Sequence, residues 1–131
     1  MADTVDIQVI HSDKRRHVIK FSGYSDGTGE IDAIKIDKST LIGPNGLEPS
    51  KLVVEEIEWN LRGYNYLLLE WDRTTDQEIA VLGGSGGYKD YRPYGGLVDN
   101  ATGGTGDIIL TSSGAAAGSS YDISMSVRLK V

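Results

Sequence analysis

Three tyrosines recur at intervals of three, Tyr88, Tyr91 and Tyr94, with Asp90 and Arg92 between them. Aromatic rings flanked by polar groups can stack on a sugar or anchor a protein–protein contact. They can also simply cover the end of a fold. Glu55, Glu56 and Glu58 are close enough in sequence to invite comparison with the carboxylate pairs of glycoside hydrolysis. Strand alternation, however, sends Glu56 and Glu58 to solvent, where charge discourages edge aggregation. Gly83-Gly84-Ser85-Gly86-Gly87 matches Gly-x-Ser-x-Gly on paper. No helical pattern follows it and no base is positioned near it, so it reads as a connection between strands rather than a nucleophile elbow. It also lacks the Gly-Lys-Ser/Thr ending of a phosphate-binding loop. Asp72, Asp76, Asp99 and Asp107 stand near strand ends, where sandwiches bind calcium, yet none is spaced as a calcium loop.

One basic cluster stands out in an acidic chain: His11, Lys14, Arg15, Arg16, His17 and Lys20, around one turn. It is either a solvated hairpin tip or a surface that steers an acidic partner. The expectation is a protein without catalytic, cofactor or metal-binding residues. Its candidate partner contacts are Lys14, Arg15, Arg16, Tyr88, Tyr91, Arg92 and Tyr94.

The elements that must position these residues are strands. The chain has 131 residues and a net charge of −6, from 13 basic and 19 acidic side chains. That length predicts one domain over 1–131 with its own core. The acidic balance argues against general nucleic-acid binding, which needs a basic footprint. No cysteine is present, which excludes disulfides and zinc–thiolate sites. No apolar run approaches the roughly 18 residues of a membrane span, so no membrane partner is expected. Met1 to Thr4 shows neither a basic region nor an apolar run, which sets the expectation of no signal peptide.

Residues 4–22 read as an N-terminal hairpin, a candidate partner-contacting arm. Ile34 and Ile36 are expected on one face of a strand, and 37–50 as a long surface loop. Residues 53–72 read as a hairpin turning at 62–65, with the other strands pairing outward from it. Trp59 and Trp71 on its two arms are expected to anchor the core, each ring burying about 150–250 Å². Glu55 interrupts the alternation of the first arm and predicts a β-bulge or an edge position. Ile79 and Val81 are expected on one face. The last strand alternates most cleanly, with Tyr121, Ile123, Met125, Val127 and Leu129 facing inward. Eleven glycines between Gly83 and Gly118 supply turn positions. No stretch sustains helical spacing. Eight or nine short strands therefore predict an antiparallel β-sandwich of jelly-roll type.

Ile57-Glu58-Trp59, Leu69-Glu70-Trp71-Asp72, the glycine-rich loop ending at Tyr91 and Gly95-Gly96, Gly106 to Thr111, and Tyr121 to Lys130 form a series. That series resembles small all-β virion proteins of tailed bacteriophages, in particular capsid decoration (cement) proteins. The resemblance covers residues 52–131. It implies a homo-oligomer, often a trimer, that sits on the assembled head and bridges major capsid protein subunits after assembly in the host cytoplasm. It implies no cofactor and no catalysis. The rival expectation is a carbohydrate-binding β-sandwich module, itself compatible with a virion surface.

Overall fold

The computed structural model describes residues 4–27, 29–43, 45–73, 77–98, 104–114 and 116–130. Its ten strands are β1 (Thr4–Ser12), β2 (Arg16–Asp26), β3 (Ala33–Ile36), β4 (Lys51–Arg62), β5 (Tyr66–Arg73), β6 (Gln77–Leu82), β7 (Gly86–Asp90), β8 (Leu97–Val98), β9 (Gly104–Ser113) and β10 (Ala117–Lys130). Two short 3-10 turns, Lys38–Thr40 and Arg92–Tyr94, lie in the connections. The strands form two antiparallel sheets. One runs β1-β2-β10-β4-β7, with β8 also pairing β4; the other runs β3-β9-β5-β6. The connections β2–β3, β3–β4, β4–β5, β6–β7, β8–β9 and β9–β10 each join strands of different sheets, a jelly-roll arrangement.

β10, the strand with the most regular alternation, is central, between β2 and β4. Its inward row from Tyr121 through Ile123, Met125 and Val127 to Leu129 is buried. Trp71 and Trp59 are buried in the same core, at 1% and 7% exposure, and the Trp59 indole N–H donates to the Gly83 carbonyl at 3.0 Å. A Cβ at Gly87 would stand 2.6 Å from the Trp59 ring, so this strand residue must be glycine for the indole to lie flat.

The hairpin expected over 53–72 does not form. β4 and β5 belong to different sheets. Gly63, at φ 85°, redirects the chain, and the Asn65 N–H then donates to the Ser113 carbonyl of β9 at 2.9 Å. Both arms carry an apolar row, Ile57-Trp59-Leu61 and Leu67-Leu69-Trp71. Facing one another across the core buries both rows, which pairing side by side would not.

In β4, β3 and β6 a bulge rephases the alternation. The one at Glu55 is as expected: Val127 pairs Val54 while Ser126 pairs Glu56. In β3, Ile34 pairs Ile109 and Ile36 pairs Ile108, leaving Lys35 as the extra residue. Lys35 and Ile36 are therefore buried while Ile34 is exposed, which corrects the expectation that both isoleucines share a face. In β6, Ile79 is the extra residue, so Ile79 and Ala80 are buried and Val81 faces solvent.

The inward Lys35 is met by a buried acid. Its Nζ lies 2.6 Å from Glu30 Oε1, and the Tyr121 hydroxyl donates to Glu30 Oε2 at 2.5 Å. The ammonium also lies 5.6 Å from the centre of the Phe21 ring and 5.9 Å from that of Tyr121. Glu30→Gln would leave a buried cation unpaired, and is expected to cost about 3–5 kcal/mol. Lys35→Met combined with Glu30→Leu should recover most of that loss. Chemical denaturation midpoints of the two variants check both expectations.

Candidate functional site

The basic turn and the tyrosine segment, more than seventy positions apart in sequence, arrive at the same end of the larger sheet. Antiparallel register accounts for this. Arg16 opens β2 opposite Arg128, near the finish of β10, and Arg128 in turn lies opposite Val53 at the start of β4. β7 runs back along β4 and ends at Asp90, opposite Glu56. The 3-10 turn that follows is tied to this end: the Tyr91 N–H donates to the Glu55 carbonyl at 2.7 Å, and Arg128 Nη2 donates to the Gly95 carbonyl at 3.3 Å.

Asp13 builds the basic tip. Its carboxylate accepts from the backbone N–H groups of Arg15 and Arg16 at 2.7 and 2.8 Å and pairs with His11 Nε2 at 2.9 Å. These donors, led by the Arg15 N–H, hold its pKa at about 2. Lys14 and Arg15 project into solvent. Arg16 reaches across β10, placing Nη2 3.3 Å from Glu55 Oε1, the carboxylate that the bulge turns outward. Two members of the sequence cluster leave it. His17 points into the sandwich and is buried, with Nδ1 3.0 Å from Ser12 Oγ. Lys20 lies on the outer face, 3.7 Å from Asp122.

The three tyrosines do not share one surface. Tyr88 obeys the alternation of β7, lies on the outer face and donates its hydroxyl to Glu56 Oε2 at 2.6 Å. That bond to the acceptor carboxylate raises the tyrosine pKa. Tyr91 lies beyond the strand and packs against the core, a correction to its reading as a surface aromatic; burial raises its pKa. Tyr94 sits in the 3-10 turn at 83% exposure. Arg92 forms a fork with Asp90, its Nε and Nη2 both at 2.9 Å, and its Nη1 lies 3.3 Å from Glu56 Oε1. The fork lowers the Asp90 pKa and raises that of Arg92. Arg92 is thus paired in place with Asp90 and Glu56, while Lys14, Arg15 and, at the finish of β10, Lys130 stand exposed at this end.

A feature absent from the sequence reading lies on the outer face itself. Outward serines of β10 form a low floor between taller side chains of β2 and β4, leaving two depressions of about 320 and 260 Å³. Tyr24 borders one and Tyr88 the other. The alternation Ser124, Ser126 within the last strand is the sequence signal for such a furrow. Of the aspartates weighed for calcium, Asp107 is buried and accepts from the Lys38 N–H at 2.8 Å, and Asp72 accepts from the Thr105 hydroxyl at 3.0 Å. Asp76 and Asp99 lie outside the described residues. Among the described residues no group of three or more His, Cys, Asp or Glu could hold a metal ion.

Comparison with known families, with curated proteins and with solved structures returns no match to this chain.

Burial holds the His17 imidazole below its ordinary pKa of 6.5. The unfolded chain then binds the proton more readily than the folded one. Stability associated with His17 is complete above pH 6.5 and declines as the pH falls below it. Melting temperatures between pH 7.5 and 5 are expected to fall, and His17→Gln to flatten that slope.

Proposed function

We propose that this chain is a non-enzymatic phage structural protein, a homo-oligomer that decorates and stabilises the capsid by binding the lattice of major capsid protein. One observation carries this reading: Lys14 and Arg15 converge with the segment from Tyr91 to Gly95 on one end of a rigid sheet. A contact built from loops on a sandwich end is fixed by the strands behind it. Its positive charge, carried by a chain of net charge −6, directs that end toward an acidic surface and the rest of the molecule away from it. Many weak copies of such a contact on a repeating lattice gain strength from multivalency. The resemblance of residues 52–131 to cement proteins supplies the lattice.

Binding to capsids that lack the protein is the test. The parent protein should cosediment with such capsids, more weakly as salt rises. Lys14→Glu with Arg15→Glu should weaken binding by roughly tenfold or more. The reading fails if the parent does not bind and its deletion leaves heads equally resistant to heat.

A second reading is favoured by the furrow. Tyr24 and Tyr88, 68% and 53% exposed, stand where rings can stack on the residues of an extended glycan, above a serine floor rich in hydroxyl groups. A glycan array should then register binding that Tyr88→Ala abolishes; an array blank for the parent protein removes this alternative.

A further inference from the structure

Among the described residues, β1 is the outermost strand of the larger sheet and pairs on one side, with β2. Cross-strand register places Val5, Ile7 and Val9 opposite Gly23, Phe21 and Ile19, on the face that forms the core. Phe21 and Ile19 are buried there, and the Lys35 ammonium of β3 lies 5.6 Å from the Phe21 ring. The smaller sheet ends at β3, so the same apolar row continues uncovered onto β1, where Val5, Ile7 and Val9 are 38%, 45% and 52% exposed. Ile10, the extra residue of a bulge, adds a further 56%-exposed side chain.

Such an edge is normally blunted by proline, by charge, by shortness or by a bulge, and the bulge of β1, at Ile10, leaves Thr4 to Val9 regular. β1 has nine residues, about 30 Å of edge, and no proline or lysine. Its free edge can accept another strand through main-chain hydrogen bonds. The charge pattern names the occupant. Asp6 stands near the start of β1, and Lys14 and Arg15 follow its end. Antiparallel pairing of two β1 strands sets the acidic start of each against the basic tip of the other, and merges the two apolar rows into one strip. A surface complementary to its own copy in this way is what a two-fold contact requires.

We propose that β1 is the edge through which two copies of this chain pair, antiparallel, joining their larger sheets into one. This goes beyond the capsid reading and does not depend on it. It also puts a two-fold pair where the resemblance implies a trimer.

Light scattering coupled to size exclusion, on the full chain across the micromolar range, should give twice the 14.2 kDa of one chain. Ile7→Lys places its charge on an exposed position, so its circular dichroism should match the parent. Its dissociation constant should be weaker by roughly a hundredfold or more. Because the chain has no cysteine, single replacements of Val5, Ile7 and Val9 by cysteine add a geometric check. Across a two-fold axis a residue meets its own copy only near the axis, so one position should oxidise to a covalent pair far faster than the other two. A monomeric parent, a trimeric mass, or a pair that Ile7→Lys leaves intact overturns the proposal. A pair that forms but binds no capsid leaves it standing and removes the capsid reading instead.

Discussion

Glu30 joins the two sheets. Its backbone N–H donates to the Ser112 hydroxyl and its carbonyl accepts from the Ser112 N–H, both at 2.9 Å, which fixes it to β9 in the smaller sheet. Its carboxylate holds Tyr121 of β10, in the larger sheet, and Lys35 of β3. A buried ion pair adds little net stability over well-packed apolar side chains. Its contribution here is direction. Apolar faces tolerate some sliding against each other, whereas a carboxylate with a hydroxyl on one oxygen and an ammonium on the other holds one position. Gly23 belongs to the same arrangement: a Cβ there would stand 2.7 Å from the Tyr121 ring. Tyr121 in turn meets Phe21 and Tyr64 edge to face, at 6.3 and 5.9 Å between ring centres.

Fixing β3 over β2 has a structural consequence. The smaller sheet cannot shift outward to cover β1, so the sandwich is unequal by construction. The larger sheet therefore carries three distinct surfaces: an end with solvent-directed lysine and arginine, an outer face with a hydroxyl-lined furrow, and an apolar edge. They are chemically different, and the basic end adjoins the apolar edge, because Lys14 and Arg15 directly follow β1.

Local pattern carries much of the fold. The inward row from Tyr121 to Leu129 is legible because alternation runs unbroken, and Trp59 and Trp71 because large rings have few places outside a core. Bulges are harder. A bulge inserts one residue and inverts the phase beyond it. At Glu55 it shows, because a charge interrupts an apolar run. At Lys35 and Ile79 it is concealed, because Ile34-Lys35-Ile36 and Ile79-Ala80-Val81 look regular. The error over 53–72 has another origin: a short polar turn between two apolar strands suits a hairpin and a sheet crossing equally well. Which strands become neighbours decides where candidate residues meet, and no local pattern records that. Lys14 and Tyr94 share one end only because β10 separates β2 from β4. The furrow is hidden for the same reason, being made by the height of side chains on four strands remote in sequence.

The position of β10 also sets an order in time. Both of its neighbours, β2 and β4, are synthesised well before it, and each keeps an open edge until it arrives. The larger sheet is thus incomplete until β10 is made, and its closure joins residues about a hundred positions apart, which is slow in any chain dominated by distant contacts. A nascent chain stalled before Ala117 exposes two long apolar edges at once. The strand that centres the finished sandwich is the one whose absence makes the unfinished chain prone to associate, so the rate at which the last strand emerges bears on yield as directly as the stability of the final fold.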